Sequence, residues 1–89
     1  MKVIISVIGK DTVGILAKVS TVCAQHNANI LEVTQSVLQD VFAMTMLADI
    51  SDMTVAFTEL SDELSALGDK LGLSIRVMHE DIFNSMHRI

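Results

Sequence analysis

From Lys2 to Ile8 the chain is apolar on both sides of an extended backbone. Val3, Ile5 and Val7 alternate with Lys2, Ile4, Ser6 and Ile8. That pattern predicts a central strand covered on both faces, with Gly9 ending it. At Ile15 the period changes. Ile15, Leu16, Val19, Val22, Cys23 and His26 share one helical face, and Lys18, Thr21 and Gln25 lie off it. An amphipathic helix of about three turns follows. Asp11 and Thr12 stand ahead of it as candidate N-caps, and Asn27 can take the left-handed conformation that stops it. Asn29 to Leu38 alternates again, with Leu31, Val33, Gln35 and Val37 on one side and Glu32, Thr34 and Ser36 on the other. Gln39-Asp40 is a two-residue turn, and Val41 to Ile50 is the returning strand of a hairpin. Phe42, Met44, Met46 and Ala48 share one of its faces; the two methionines read as strand packing or as soft residues at an interface.

Ser51-Asp52 breaks the run and offers an N-cap. Phe57, Leu60, Leu64, Leu67 and Leu71 then recur at spacings of three and four, while Glu59, Asp62, Glu63, Asp69 and Lys70 avoid that stripe. This is a second amphipathic helix, with Gly72 as its C-cap. Leu73, Ile75 and Val77 alternate with Ser74, Arg76 and Met78 in a fourth strand. Ile82, Phe83, Met86 and Ile89 lie at helical spacing in a short tail whose apolar stripe needs a surface to cover. The order is βαββαβ. Its economical packing is an α+β, ferredoxin-like domain over 1–79: a four-stranded antiparallel sheet with both helices on one face, followed by a helical tail over 80–89.

Composition sharpens this picture. Half of the 89 residues are hydrophobic (51%) and the mean hydropathy is +0.51, more than so small a core hides. The surplus predicts a homodimer, or a tetramer of two such dimers, joined through the uncovered sheet face. A net charge of −5 without a basic run argues against nucleic acid. No apolar stretch approaches the ~18 residues of a membrane-spanning helix. The lone Cys23 cannot form an internal disulfide and fits a cytoplasmic protein. On the apolar face of its helix it reads as an inert buried thiol. No catalytic set and no cofactor fingerprint emerges, so an enzyme is not expected. His79-Glu80-Asp81 with His87 is the one metal-like cluster, and its spacing matches no zinc motif. A metal-binding tail is accordingly the weakest of the readings.

The stretch with most chemistry is Gly9 to Ile15. A strand that empties through a glycine-bearing turn into a helix leaves the first N–H groups of that helix without partners, at the positive end of the helix dipole. An anionic group, such as the carboxylate of an amino acid, suits that place.

The element order, together with Gly9-Lys10-Asp11-Thr12-Val13-Gly14-Ile15-Leu16-Ala17-Lys18-Val19-Ser20, resembles the opening of an ACT domain. Asn27-Ala28-Asn29-Ile30 resembles that family's second signature, at the start of strand two. The likeness spans residues 1 to about 79. With its acidic tail the chain is also similar to small stand-alone bacterial ACT proteins of unassigned function, and to the ACT halves of glycine-cleavage repressors. The resemblance implies regulatory, non-catalytic binding of a small molecule, usually an amino acid, between two ACT domains. Its contacts would be Asp11, Thr12, Val13, Gly14, Ile15 and Leu16 from the first turn, and Asn29 and Ile30 from the second, on the same or the neighbouring domain. Two departures stand out. Gly9 occupies a place where some amino-acid-binding members carry a polar residue. Asp11 is an acid where several have an amide, and it would favour a ligand's ammonium over its carboxylate. With no room for an effector domain, an output protein is implied. The alternative is a ligand-free protein–protein interaction module.

Overall fold

The computed structural model describes residues 1–10 and 12–86. Its elements are β1 (Lys2–Lys10), α1 (Ile15–Gln25), β2 (Asn29–Leu38), β3 (Val41–Asp49), α2 (Phe57–Leu71), β4 (Leu73–His79) and α3 (Glu80–Met86). The strands form one antiparallel sheet in the order β2-β3-β1-β4. This is the ferredoxin-like arrangement with a C-terminal helix. His87 and Ile89, from the metal-like cluster and the tail stripe, lie outside the described residues, as does Asp11.

Alternation assigns the two faces of the sheet. Val3, Ile5 and Val7 of β1, Phe42, Met44, Met46 and Ala48 of β3, and Leu73 and Ile75 of β4 point towards the helices. There they form one core with Ile15, Val19 and Cys23 of α1 and Leu60 and Leu64 of α2. Met44 is therefore a core residue, which removes it from any interface. Among the described residues no polar side chain is fully buried, so this core is held by apolar burial, with the helices contributing their stripes.

The other face is only partly open. Ile8, Leu38 and Val41 are 51%, 78% and 50% exposed at one end of it, while Ile4, at the other end, is 7% exposed. Ile4 faces away from α1 and α2. It lies between Leu47 and Met78 in the sheet, and α3 follows β4 within reach of both β1 and β4. Of the tail's stripe, Phe83 is half-buried and Ile82 is exposed.

Three local expectations change. β2 carries a bulge between Ile30 and Glu32. Leu31 is the extra residue, and Ile30 and Val33 both face the helices, so the simple alternation breaks there. α2 begins at Phe57 with Ala56 as N-cap. Ser51-Asp52 does not cap it; Ser51 is occupied instead by the Asp49 carboxylate, to which its N–H and hydroxyl donate at 2.9 and 2.6 Å. The N-cap of the first helix is Gly14 rather than Thr12. The remaining punctuation holds. Gly72 ends α2 at φ 74° with its N–H on the carbonyl of Gly68, and Asn27 and Gln39 take φ 60° and 58°.

Gly68 lies where α2 meets β4. A Cβ there would sit 2.7 Å from the carbonyl oxygen of Leu73 and 3.3 Å from the backbone nitrogen of Ile75. Alanine would gain up to ~1 kcal/mol of helix propensity, but the obstructing atoms are backbone and cannot swing aside. Overpacking costs about 1–3 kcal/mol and wins. Gly68→Ala is expected to lower the urea midpoint, and an unchanged or raised midpoint would show that α2 can lift from β4 at no cost.

Candidate functional site

The first candidate region is built by the exit from β1. Gly9 pairs with both Phe42 and Leu73, and a Cβ on it would meet the Leu73 side chain at 2.6 Å. Glycine is needed here so that β1 can approach the start of β4. Val13 is 92% exposed, and Gly14 turns the chain at φ 83°, ψ 16°. A Cβ on Gly14 would meet only the Lys18 side chain, at 3.9 Å. Its role is therefore conformational rather than one of close packing.

The helix that follows opens bare. Its cap position makes no side-chain hydrogen bond, and no acidic residue stands in its first turn. The first helical bond runs from Lys18 N–H to the Gly14 carbonyl at 3.0 Å. The N–H groups of Ile15, Leu16 and Ala17 precede it and have no partner within the helix. Thr12, Val13 and Gly14 are exposed, Ile15 is buried in the core and Leu16 is half-buried. The turn thus offers backbone donors with positive helix-end potential, flanked by exposed Lys10 and Lys18.

The second region lies at the opposite end of the sheet. Asn29 pairs with Asp49, which pairs with Lys2, whereas the first turn leaves from Lys10. Eight residue steps separate Lys2 from Lys10, about 27 Å at ~3.4 Å each. Within one chain the fold therefore does not bring Asn29 and Ile30 together with Thr12 to Leu16.

Around exposed Asn29 there is a cavity of about 450 Å³, lined by Ala24, Asn27, Ala28, Asn29, Asp49 and Asp52. Asn27 Nδ2 donates to the Asp52 carbonyl at 2.9 Å, and Thr54 N–H to the His26 carbonyl at 2.9 Å. These bonds fasten the α1–β2 loop to the β3–α2 loop. His26 also pairs with Glu63 of α2 across the same junction. The hydroxyl of Ser51, then its N–H, hold the Asp49 carboxyl below the usual carboxylate range, with the Met1 ammonium 3.7 Å away. A rim of carboxylate and amide oxygen suits an ammonium group as the first turn suits a carboxylate.

The partners of Asn29 were beyond sequence reasoning. A two-residue turn at Gln39-Asp40 would carry Asn29 past Asp49 to Ile50; the bulge at Leu31 draws it back onto Asp49. The ring of His79 stacks on Phe57 with centroids 4.8 Å apart and planes 13° from parallel. Among the described residues no group of three potential ligands converges. Cys23 is fully buried, and burial raises its pKa, which disfavours the reactive thiolate.

Comparison with known proteins now decides the family. Residues 2–78 match the family described as ACT domain. The chain belongs to the ACT domain family. It is 50% identical over 88 residues to the UPF0237 protein of Methanocaldococcus jannaschii, covering 99% of this chain and 98% of that one. Among solved structures, an ACT domain protein from Streptococcus pneumoniae is similar at TM-score 0.80 and 40% identity, with 93% of each chain covered. A structure assigned as a glycine cleavage system transcriptional repressor shares the fold at TM-score 0.76 and 23% identity, over 86% of this chain and 44% of that one. In this ACT domain no helix of the described residues is long and apolar enough to cross a membrane.

The depressed carboxyl of Asp49 carries a pH signature. A folded pKa below the unfolded one contributes stability above the ordinary carboxylate range, and the contribution is lost as pH falls through the folded value. Asp49→Asn is expected to lower the melting temperature at neutral pH, and the two melting curves should converge on acidification. A gap that persists at low pH would mean that packing, not the charge, holds this corner.

Proposed function

We propose that this ACT domain is a non-catalytic regulatory module, a homodimer that binds a small zwitterion, foremost an amino acid, at sites shared by two chains. The observation that carries the reading is the edge strand β2. It is ten residues long and paired on one side only, and every residue from Leu31 to Leu38 is exposed, including Leu31, Val33, Val37 and Leu38. Such an edge invites pairing with another strand.

Two copies joined by antiparallel β2 edges place the start of one β2 beside the end of the other. The Asn29 region of each chain then comes to the same end as the first turn of its neighbour. The ligand carboxylate would take the N–H groups of the Thr12–Leu16 turn. Its ammonium would take Asp11 from the turn or the Asn29–Asp49 rim from the neighbour, beside Ile30. Because the site is complete only in the dimer, ligand and dimer stabilise each other. Regulation then consists of favouring one assembly, which a separate output protein in the cytoplasm reads.

A thermal-shift panel of the twenty amino acids tests this. A ligand specific for the folded state adds about 2.7 kcal/mol at a hundredfold excess over Kd. For a domain of this size that is on the order of 10 °C. Asn29→Ala is expected to weaken the responding ligand roughly tenfold or more, as for a lost charged hydrogen bond. No response across the panel would instead favour a ligand-free interaction module. The assembly has its own test. Val37→Glu puts a charge on the β2 edge and is expected to reduce the sedimentation mass to that of one chain; a folded variant that remains dimeric would move the interface away from β2.

A further inference from the structure

We propose that the outer edge of β4, with α2 beside it, is a docking groove for an extended segment of another protein, which adds a fifth strand to the sheet. β4 ends the strand order and pairs with β1. Among the described residues no strand pairs with its outer side, where a row of backbone N–H and C=O groups faces outward. Natural edges are commonly spoiled for pairing by a bulge, a proline or a lysine. β4 has none of these. Its register with β1 runs unbroken from Val3–His79 to Gly9–Leu73, and its sequence is Leu-Ser-Ile-Arg-Val-Met-His.

The edge is also one side of a groove. A cavity of about 410 Å³ is lined by Ser61, Ser65 and Asp69 of α2 and by Leu73 to Met78 of β4, within the usual size of a ligand cleft. Ser61, Ser65 and Asp69 recur every fourth residue and so form one stripe of the helix. The two serines are short, which keeps the helical wall low where a second backbone has to come alongside. Leu73 and Ile75 face the helices, and Ser74, Arg76 and Met78 alternate to the open side. An added strand alternates in the same way. Every second side chain of it meets α2, and the others lie beside Ser74, Arg76 and Met78.

Charge sets what the segment carries. Asp69 follows Gly68, whose place against the Leu73 backbone puts Asp69 at the start of β4. Arg76 comes three residues after Leu73, on the opposite face. Both charges are exposed. The segment therefore needs a basic residue on the helix side and an acidic one three positions away, an odd spacing that turns the acid to the open side. Antiparallel pairing, the commoner and the more stable, puts the acid first: acidic-x-x-basic, with β-branched residues among the rest. A second copy of this chain does not supply that pattern. The open side of its β4 offers Ser74, Arg76 and Met78 and no acid, and its β2 follows Glu32 with Gln35 three residues later. The occupant is thus a segment of a different protein, and this edge is where an output protein attaches.

The probe is a synthetic peptide, Thr-Val-Glu-Val-Thr-Lys-Thr-Val, added to the full chain while backbone amides are followed by NMR and hydrogen exchange. The outward amides of β4 should slow, and those of β2 should not. The same peptide N-methylated at alternate residues cannot pair along the edge and should not bind. Asp69→Lys and Arg76→Glu should each weaken binding about fivefold, the size of one exposed ion pair. A peptide with Glu and Lys exchanged should recover that loss on the doubly reversed chain. No slowing of β4 at millimolar peptide overturns the proposal, as does binding that survives N-methylation or is indifferent to both reversals. The shared site at β2 is judged separately. Val37→Glu should leave the peptide's effect on β4 intact, and Arg76→Glu should leave the sedimentation mass and the amino-acid thermal shifts unchanged.

Discussion

The fold depends on burying β1. It is apolar on both faces and paired on both sides, and its inward residues Val3, Ile5 and Val7 are fully enclosed beneath the helices. With β1 and β3 in the middle, the two edges fall to β2 and β4, and they are treated differently. α2 lies on β4 so closely that Gly68 has no room for a methyl group, and Leu73 and Ile75 are sealed beneath it. β2 receives only a light contact from α1 and keeps Leu31, Val33, Val37 and Leu38 in water. One edge thereby runs beside a helix and the other is left bare, and the proposed homodimer follows from that asymmetry rather than from an average stickiness of the surface.

Much of this was legible in the chain. Periods of two and of three to four residues located every element, and the αL positions at Asn27 and Gly72 were marked by residues that tolerate positive φ. The candidate site was legible only in part. Sequence can mark a bare helix entrance at Gly14 and an amide at Asn29, since both are local signals. It cannot show that they lie at opposite ends of the sheet, because that separation is set by the antiparallel course of α1 against β1. Nor could it reveal the bulge at Leu31. A bulge answers to the fit of the whole hairpin, and one extra residue changes the partner of Asn29 without altering the local pattern of apolar residues. The caps were misread for a similar reason. Ser51 has the chemistry of an N-cap, yet the Asp49 carboxylate two residues away claims both its donors.

The uncovered sheet face shows how composition can report an excess without its place. Exposed apolar residues do exist, but they are divided between the β2 edge and the Ile8–Val41 end of the open face. A hydrophobic fraction is a total, and it does not say which portion is satisfied within the chain.

The pairing of β1 with β4 has a consequence for how the domain comes to fold. It joins residues as distant in the chain as Val3 and His79, while the β2–β3 hairpin closes over two residues. Contacts of high sequence separation form late, after loop-closure entropy has been met. On a ribosome, β1 emerges well before β4, and that flank stays vacant until the residues between them have been synthesised. The most apolar strand of the protein is therefore the one that waits longest for its second neighbour, and during that interval it is the segment most open to pairing with the wrong chain.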